Sequence, residues 1–160
     1  MAGRPIVEQI LGKVRERLLV ITEGPKFADT VVGVERPTRI STLQPKHYQV
    51  VLGQSVKRNA ALSTPGNPPG IAWDLTVEIT CTLRPSESDP CPIDTFRNEF
   101  WADAVIAITN HPDWHNWDGL ALISTLGDPI DGENDAGDAG VMVPLVITYR
   151  VSENDPTKLR

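Results

Sequence analysis

Apolar residues recur at spacings of three and four near the start of the chain: Ile6, Ile10, Leu11, Val14, Leu18 and Ile21. Residues so spaced line one side of a 3.6-residue helix, which predicts an amphipathic helix over residues 5–21, with Glu8, Gln9, Lys13, Arg15, Glu16 and Arg17 between the stripe positions. Pro5 suits the first turn, and Gly24-Pro25 stops the helix on its far side. The period then changes to two. Val31 to Val34 is a short β-branched run closed by Pro37, and Tyr48, Val50, Leu52, Gln54 and Val56 alternate in the next predicted strand.

The segment "RNAALSTPGNPPGI" is rich in Pro, Gly, Asn and Ser and reads as a long loop over Asn59 to Gly70. After it, Ile71, Trp73, Leu75, Val77, Ile79, Cys81 and Leu83 are apolar, while Asp74, Thr76, Glu78, Thr80 and Thr82 lie between them. One dry face and one wet face belong to an antiparallel sheet covered on one side. At about 3.3 Å per residue this strand would run roughly 40 Å, enough for part of it to project beyond the sheet as a long β-hairpin arm.

A second helix is predicted after "RPSESDPCP", capped by Asp94 or Thr95, with Phe96, Phe100, Ala104, Ala107 and Ile108 as its buried stripe and Trp101 and Val105 widening it. It must end near Asn110, because the residue before Pro112 is pushed out of the α region. "GLALISTL" reads as a short strand. The last strand alternates Val141, Val143, Leu145, Ile147, Tyr149 and Val151, and Pro144 inside it predicts a late start or an edge position, since proline has no N–H for a ladder. The fold class is therefore α+β: an antiparallel sheet of mixed strand lengths, packed on one face by two helices, in a single domain over residues 1–160 with tails at 1–3 and 153–160. No internal repeat is present. A chain of 160 residues can bury about two thirds of its unfolded surface around one core.

Two stretches carry candidate chemistry. "HPDWHNWDG" brings His111, Asp113, His115 and Asp118 within eight positions, side chains that suit zinc or iron, and a metal-dependent hydrolase using His111, Asp113 and His115 is the enzymatic reading. Ligands at i, i+2 and i+4 share a face only on a strand, however, and Pro112 with the helix end opposes a strand here. The favoured reading is structural: Trp114 and Trp117 fold back over the sheet and the second helix, while Asp113 and Asp118 hold the turn through backbone hydrogen bonds. The second stretch, "GDPIDGENDAGDAG", holds Asp128, Asp131, Glu133, Asp135 and Asp138 with no base. It departs from the EF-hand order, which needs glycine at loop position 6 and glutamate at position 12, so it reads as a solvated hairpin tip or a negative patch.

Charge sharpens this picture. The formal net charge of −6 opposes a surface built to neutralise duplex phosphates. Residues 1–60 carry ten Lys/Arg against five Asp/Glu, and residues 61–160 carry five against sixteen. A subunit with oppositely charged parts can stack head to tail on copies of itself. Cys81 and Cys91 form neither a CxxC pair nor a disulfide framework and are expected as reduced thiols. No apolar run approaches the roughly 20 residues of a membrane span, and no signal-peptide pattern opens the chain, so a soluble, unprocessed protein is expected. Phosphate loops, HExxH, GxSxG and kinase signatures are absent, which predicts an interaction protein, not an enzyme, with no cofactor.

The opening "IVEQILGKVRERLLVI", the "PKHYQVVLGQ" strand and the closing "VPLVITYRVSENDP", in this order of elements, resemble the tail terminator family among the minor tail proteins of long-tailed bacteriophages. The resemblance spans most of the chain. It implies a structural virion protein, made in the host cytoplasm, that closes into a hexameric ring on the head-proximal end of the tail tube. Its implied partners are its own copies, the tail tube protein, a neck or head-completion protein and the passing genomic DNA, which it does not bind tightly. No membrane is implied, and no catalytic residue is carried over. Asp128, Asp131, Glu133, Asp135 and Asp138 are the candidate channel or tube-contact loop. A head–tail connector or tail completion protein of the neck is the alternative within the same class.

Overall fold

The opening stripe winds as helix α1 (Ile6–Leu19), continued by a 3₁₀ turn (Val20–Glu23). Ile6, Ile10, Leu11, Val14, Leu18 and Ile21 are all buried, as their spacing predicts. Arg17 is buried with them. It stands three residues after Val14 and four before Ile21, so it occupies a stripe position by geometry. The computed structural model describes residues 3–23, 31–33, 48–83, 92–133 and 139–160.

Among these residues seven strands form one sheet: β1 (Val31–Gly33), β2 (Tyr48–Thr64), β3 (Gly70–Leu83), β4 (Ile123–Leu126), β5 (Ile130–Glu133), β6 (Ala139–Ser152) and β7 (Asp155–Leu159). β1 lies parallel to β2, and every other pair is antiparallel. The order is β1-β2-β3-β6-β4. β5, β4 and β7 follow one another along the far side of β6, opposite residues 139–142, 145–148 and 151–152. Helix α2 (Ile93–Thr109) and α1 cover one face, where Leu75, Val77, Ile79 and Cys81 of β3 meet Val141, Val143, Leu145 and Ile147 of β6 and Phe96, Phe100, Ala104 and Ile108 of α2 in one core. Trp73 is partly buried and packs against its margin. The fold is α+β, an antiparallel sheet with two helices on one face.

Six details differ from the sequence-based expectation. Residues 58–64 are not loop but the end of β2: Lys57, Arg58 and Asn59 pair with Asp74, Trp73 and Ala72, and the register breaks only between Asn59 and Thr64. Polar bonds hold that break. Asn59 Nδ2 donates to both Asp74 oxygens at 3.1 Å, Thr148 Oγ1 donates to Asp74 Oδ1 at 2.7 Å, and Arg150 Nε donates to the Leu62 carbonyl at 2.9 Å. The long β2–β3 hairpin stays within the sheet, because β6 pairs with β3 as far as Gly70 opposite Ser152.

Pro144 lies in the middle of β6, the strand with the most neighbours, and marks neither a late start nor an edge. Its carbonyl accepts from Gly127 N at 2.8 Å. In an extended strand the N–H and C=O of one residue point the same way, so the missing donor faces the interval between β4 and β5, where no ladder bond is required. The chain crosses there at Gly127, where a Cβ would meet Pro144 Cγ at 2.7 Å.

Helix α2 begins after Pro92 with no side-chain cap, so neither Asp94 nor Thr95 caps it; Asp94 lies in the first turn, where a carboxylate favours the helix dipole. It ends at Asn110, as Pro112 predicts. Trp101 is exposed and does not widen the stripe. Residues 155–159, expected as part of a tail, form β7 on the edge of β6.

Candidate functional site

Helix α2 gives out into "HPDWHNWDG", which is a succession of turns. Asn116 N and Trp117 N both donate to the Asp113 carbonyl, at 3.0 and 2.8 Å. The backbone then takes three left-handed residues in a row, Trp117 (φ 52), Asp118 (φ 58) and Gly119 (φ 82). Only the glycine adopts this freely; a non-glycine residue there costs on the order of 1 kcal/mol or more and must be over-determined by its surroundings. The surroundings do so. Trp117 is fully buried, its indole Nε1 donates to Ser124 Oγ of β4 at 2.7 Å, and the Arg17 guanidinium carbon lies 4.0 Å from its ring centroid.

Arg17 joins the two helices at this corner. Its Nη2 donates to Asp113 Oδ1 at 2.9 Å and its Nη1 to the Ile108 carbonyl at 3.4 Å, at the last turn of α2. The other Asp113 oxygen accepts from Asp118 N at 2.9 Å. Asp113 therefore holds the turn through the backbone, as its position predicts, whereas the Asp118 carboxylate pairs with Lys13 of α1. Hydrogen bonding with Asp113 and then with the Lys13 ammonium keeps the Asp118 carboxyl below its ordinary range. Trp114 packs partly buried on the core, and its ring lies against His115, tilted by 36° with centroids 3.8 Å apart.

The candidate metal ligands thus have different neighbours. His111 Nδ1 lies 3.4 Å from Asp113 Oδ1, but Asp113 is engaged by Arg17 and by the backbone, and His115 faces Trp114 instead of the other two. Among the described residues no three His, Cys, Asp or Glu side chains are grouped to hold a metal ion. Beside His111, a shallow groove of about 340 Å³ runs between the 3₁₀ turn and α2, lined by Val20, Ile21, Asp103, Ile106, Ala107 and Asn110. Its walls are largely aliphatic.

The acidic stretch divides in two. Asp128 is exposed beside Pro129, and Asp131 and Glu133 belong to β5 opposite Val141 and Ala139. The side chain of Glu133, and Asp135 and Asp138 entirely, lie outside the described residues, as does Cys91. Asp131 is on the helix-covered side, 3.6 Å from Arg97 Nε and still 61% exposed. Arg97 fastens α2 to this hairpin chiefly through carbonyls: Nη2 donates to Gly132 O at 3.0 Å and Nε to Gly140 O at 3.2 Å.

Cys81 is a buried free thiol, and burial raises its pKa well above the usual value. No described helix is long and apolar enough to cross a membrane. Arg17 is the residue that sequence reasoning missed; the available signal was an arginine at a stripe position. No protein-family model matches this chain, and no curated protein does.

Proposed function

We propose that this protein is a phage tail terminator: a structural virion protein that closes into a homomeric ring, six copies in the family it resembles, on the head-proximal end of a tail tube. There it stops tube growth and joins the tail to the neck. The observation that supports this most is a sheet whose two opposite edges are uncovered among the described residues, in a chain whose Asp113 and Asp118 at the helix exit are engaged by Arg17 and Lys13 of α1. Such a subunit presents surfaces for copies and neighbours.

The acidic residues Glu133, Asp135 and Asp138 line the channel in this reading. A negative channel repels phosphate and lets DNA slide through. The test is to add the purified protein to tubes growing from purified tail tube protein and to measure their lengths by electron microscopy. A terminator gives annular particles or capped tubes of shortened length; a neck connector leaves tube length unchanged. Changing Glu133, Asp135 and Asp138 together to Lys should leave capping intact and create salt-sensitive DNA binding. A protein that neither forms rings nor caps tubes overturns the reading.

A further inference from the structure

The sheet ends in two unlike edges. On one side β1 covers β2 only at Gln49–Val51, and among the described residues no strand pairs with the outer side of β2 beyond that point. This edge carries Lys57 and Arg58, both exposed, with Val56 beside them 45% exposed. On the other side β4 and β5 lie end to end along β6 with no strand described beyond them. That edge carries Asp128 and Asp131 with the exposed Ile123 and Ile130. The basic and acidic parts of the chain thus meet the surface at opposite edges of one sheet.

We propose that the β2 edge of one copy pairs with the β4–β5 edge of the next, so that the sheet runs on from subunit to subunit. The occupant of each edge is a second copy of this chain, held head to tail.

Three observations favour this pairing. β2 and β6 run one way and β3, β4 and β5 the other, so two copies in the same orientation set β2 antiparallel to the neighbour's β4 and β5, the better-paired arrangement. Arg58, in register with Trp73, and Asp131, in register with Val141, are both on the helix-covered side of the sheet. Opposite charges therefore share one side of the joint, and a stagger of eight residues between copies, the separation of Tyr149 (level with Arg58) from Val141 (level with Asp131), brings them together on the part of β2 that β1 leaves open. Pairing of β2 with another β2 would instead put two Lys57–Arg58 pairs on one seam, where like charges repel.

A head-to-tail contact repeats and closes into a ring when the rotation between copies allows it. The proposal rests on the ring reading for closure alone; the edge contact itself is testable on free protein.

The experiment uses charge reversal on each edge of the full chain. One variant carries Lys57→Glu and Arg58→Glu, and the other Asp128→Lys and Asp131→Lys; self-association is measured by sedimentation, with circular dichroism confirming the fold. Each variant alone should associate at least about tenfold more weakly than the unaltered chain, because each now presents two edges of one sign. An equimolar mixture should associate again in strict alternation, and a single chain with all four substitutions should recover self-association.

Loss in the first variant with none in the second overturns the head-to-tail pairing in favour of β2 with β2. Association unaffected by either variant overturns the edge contact and leaves the ring reading standing on other surfaces. An unaltered chain that stays monomeric at every concentration, and also fails to cap tubes, overturns both.

Discussion

The helix exit at residues 111–119 and the acidic segment at residues 128–133 are similar in composition, each rich in carboxylates and punctuated by glycine and proline, yet the fold treats them in opposite ways. The exit is anchored in the interior by one side chain: Trp117 is fully buried, Arg17 stacks on it, and the half-buried Asp113 is bonded on both oxygens. The acidic segment stays outside, its carboxylates Asp128 and Asp131 exposed, and Arg97 of α2 fastens it by donating to the Gly132 and Gly140 carbonyls. What separates them is a partner supplied from far along the chain. A buried cation with an indole turns a polar stretch into structure; without such a partner, carboxylates remain in water because burying them unpaired costs too much.

The most severe way to break the contrast is Trp117→Ala. It removes the largest buried side chain of the corner and the bond to Ser124, and should destabilise the protein by about 3–5 kcal/mol in urea unfolding. Arg17→Met keeps the stem but leaves Asp113 with half its partners, at a cost of about 3 kcal/mol. In a double-mutant cycle with Asp113→Asn the pair should show coupling of about 1 kcal/mol or more. The hairpin counterpart, Asp131→Asn, should change stability by less than about 0.5 kcal/mol, since the carboxylate is more than half exposed. If Arg17→Met proves as mild as Asp131→Asn, the buried corner does not organise the helix exit.

The smallest effect sharpens the edge of the sheet. The Asp155 carboxyl, which turns the chain into β7, is lowered from 3.8 to about 2 by hydrogen bonds from the Thr157 side chain, from Lys158 and from the Thr157 backbone. A carboxyl with a depressed folded-state pKa contributes stability that is present above the unfolded value of 3.8 and is lost as the pH falls through about 2. Amide protection factors in residues 155–159, which remove the pH dependence of intrinsic exchange, should therefore fall between about pH 4 and pH 2 before those of the core strands. Protection lost in all strands together would contradict it.

The stripe of α1 and the alternation of β3 were legible because burial on one side imposes a period that the residues must obey. The same logic hid the second half of β2: "RNAALST" lies on an edge, mostly exposed, so no alternation was imposed, and it is held to β3 by the pairing of Arg58, Asn59 and Thr64 and by the Ser63 hydroxyl between them. At the candidate site, spacing opposed a regular ligand set at His111, Asp113 and His115, and Asp113 holds the turn as its position suggests. Arg17 was not recognised because its charge reads as solvated surface until an indole and a carboxylate are known to lie opposite.

By itself the sequence determined which residues must leave water, the two periods in which they recur and where the second helix must stop, because these depend on side-chain geometry and the restriction before proline. Tertiary structure alone decided the setting of Pro144 in the central strand β6, of Lys57 and Arg58 opposite Asp128 and Asp131 across the sheet, and of Trp117 in a left-handed turn beneath Arg17. Each depends on what a distant segment supplies: a gap in the neighbouring ladder, an uncovered edge, or a cation to complete a buried corner. Local sequence carries no record of those distances.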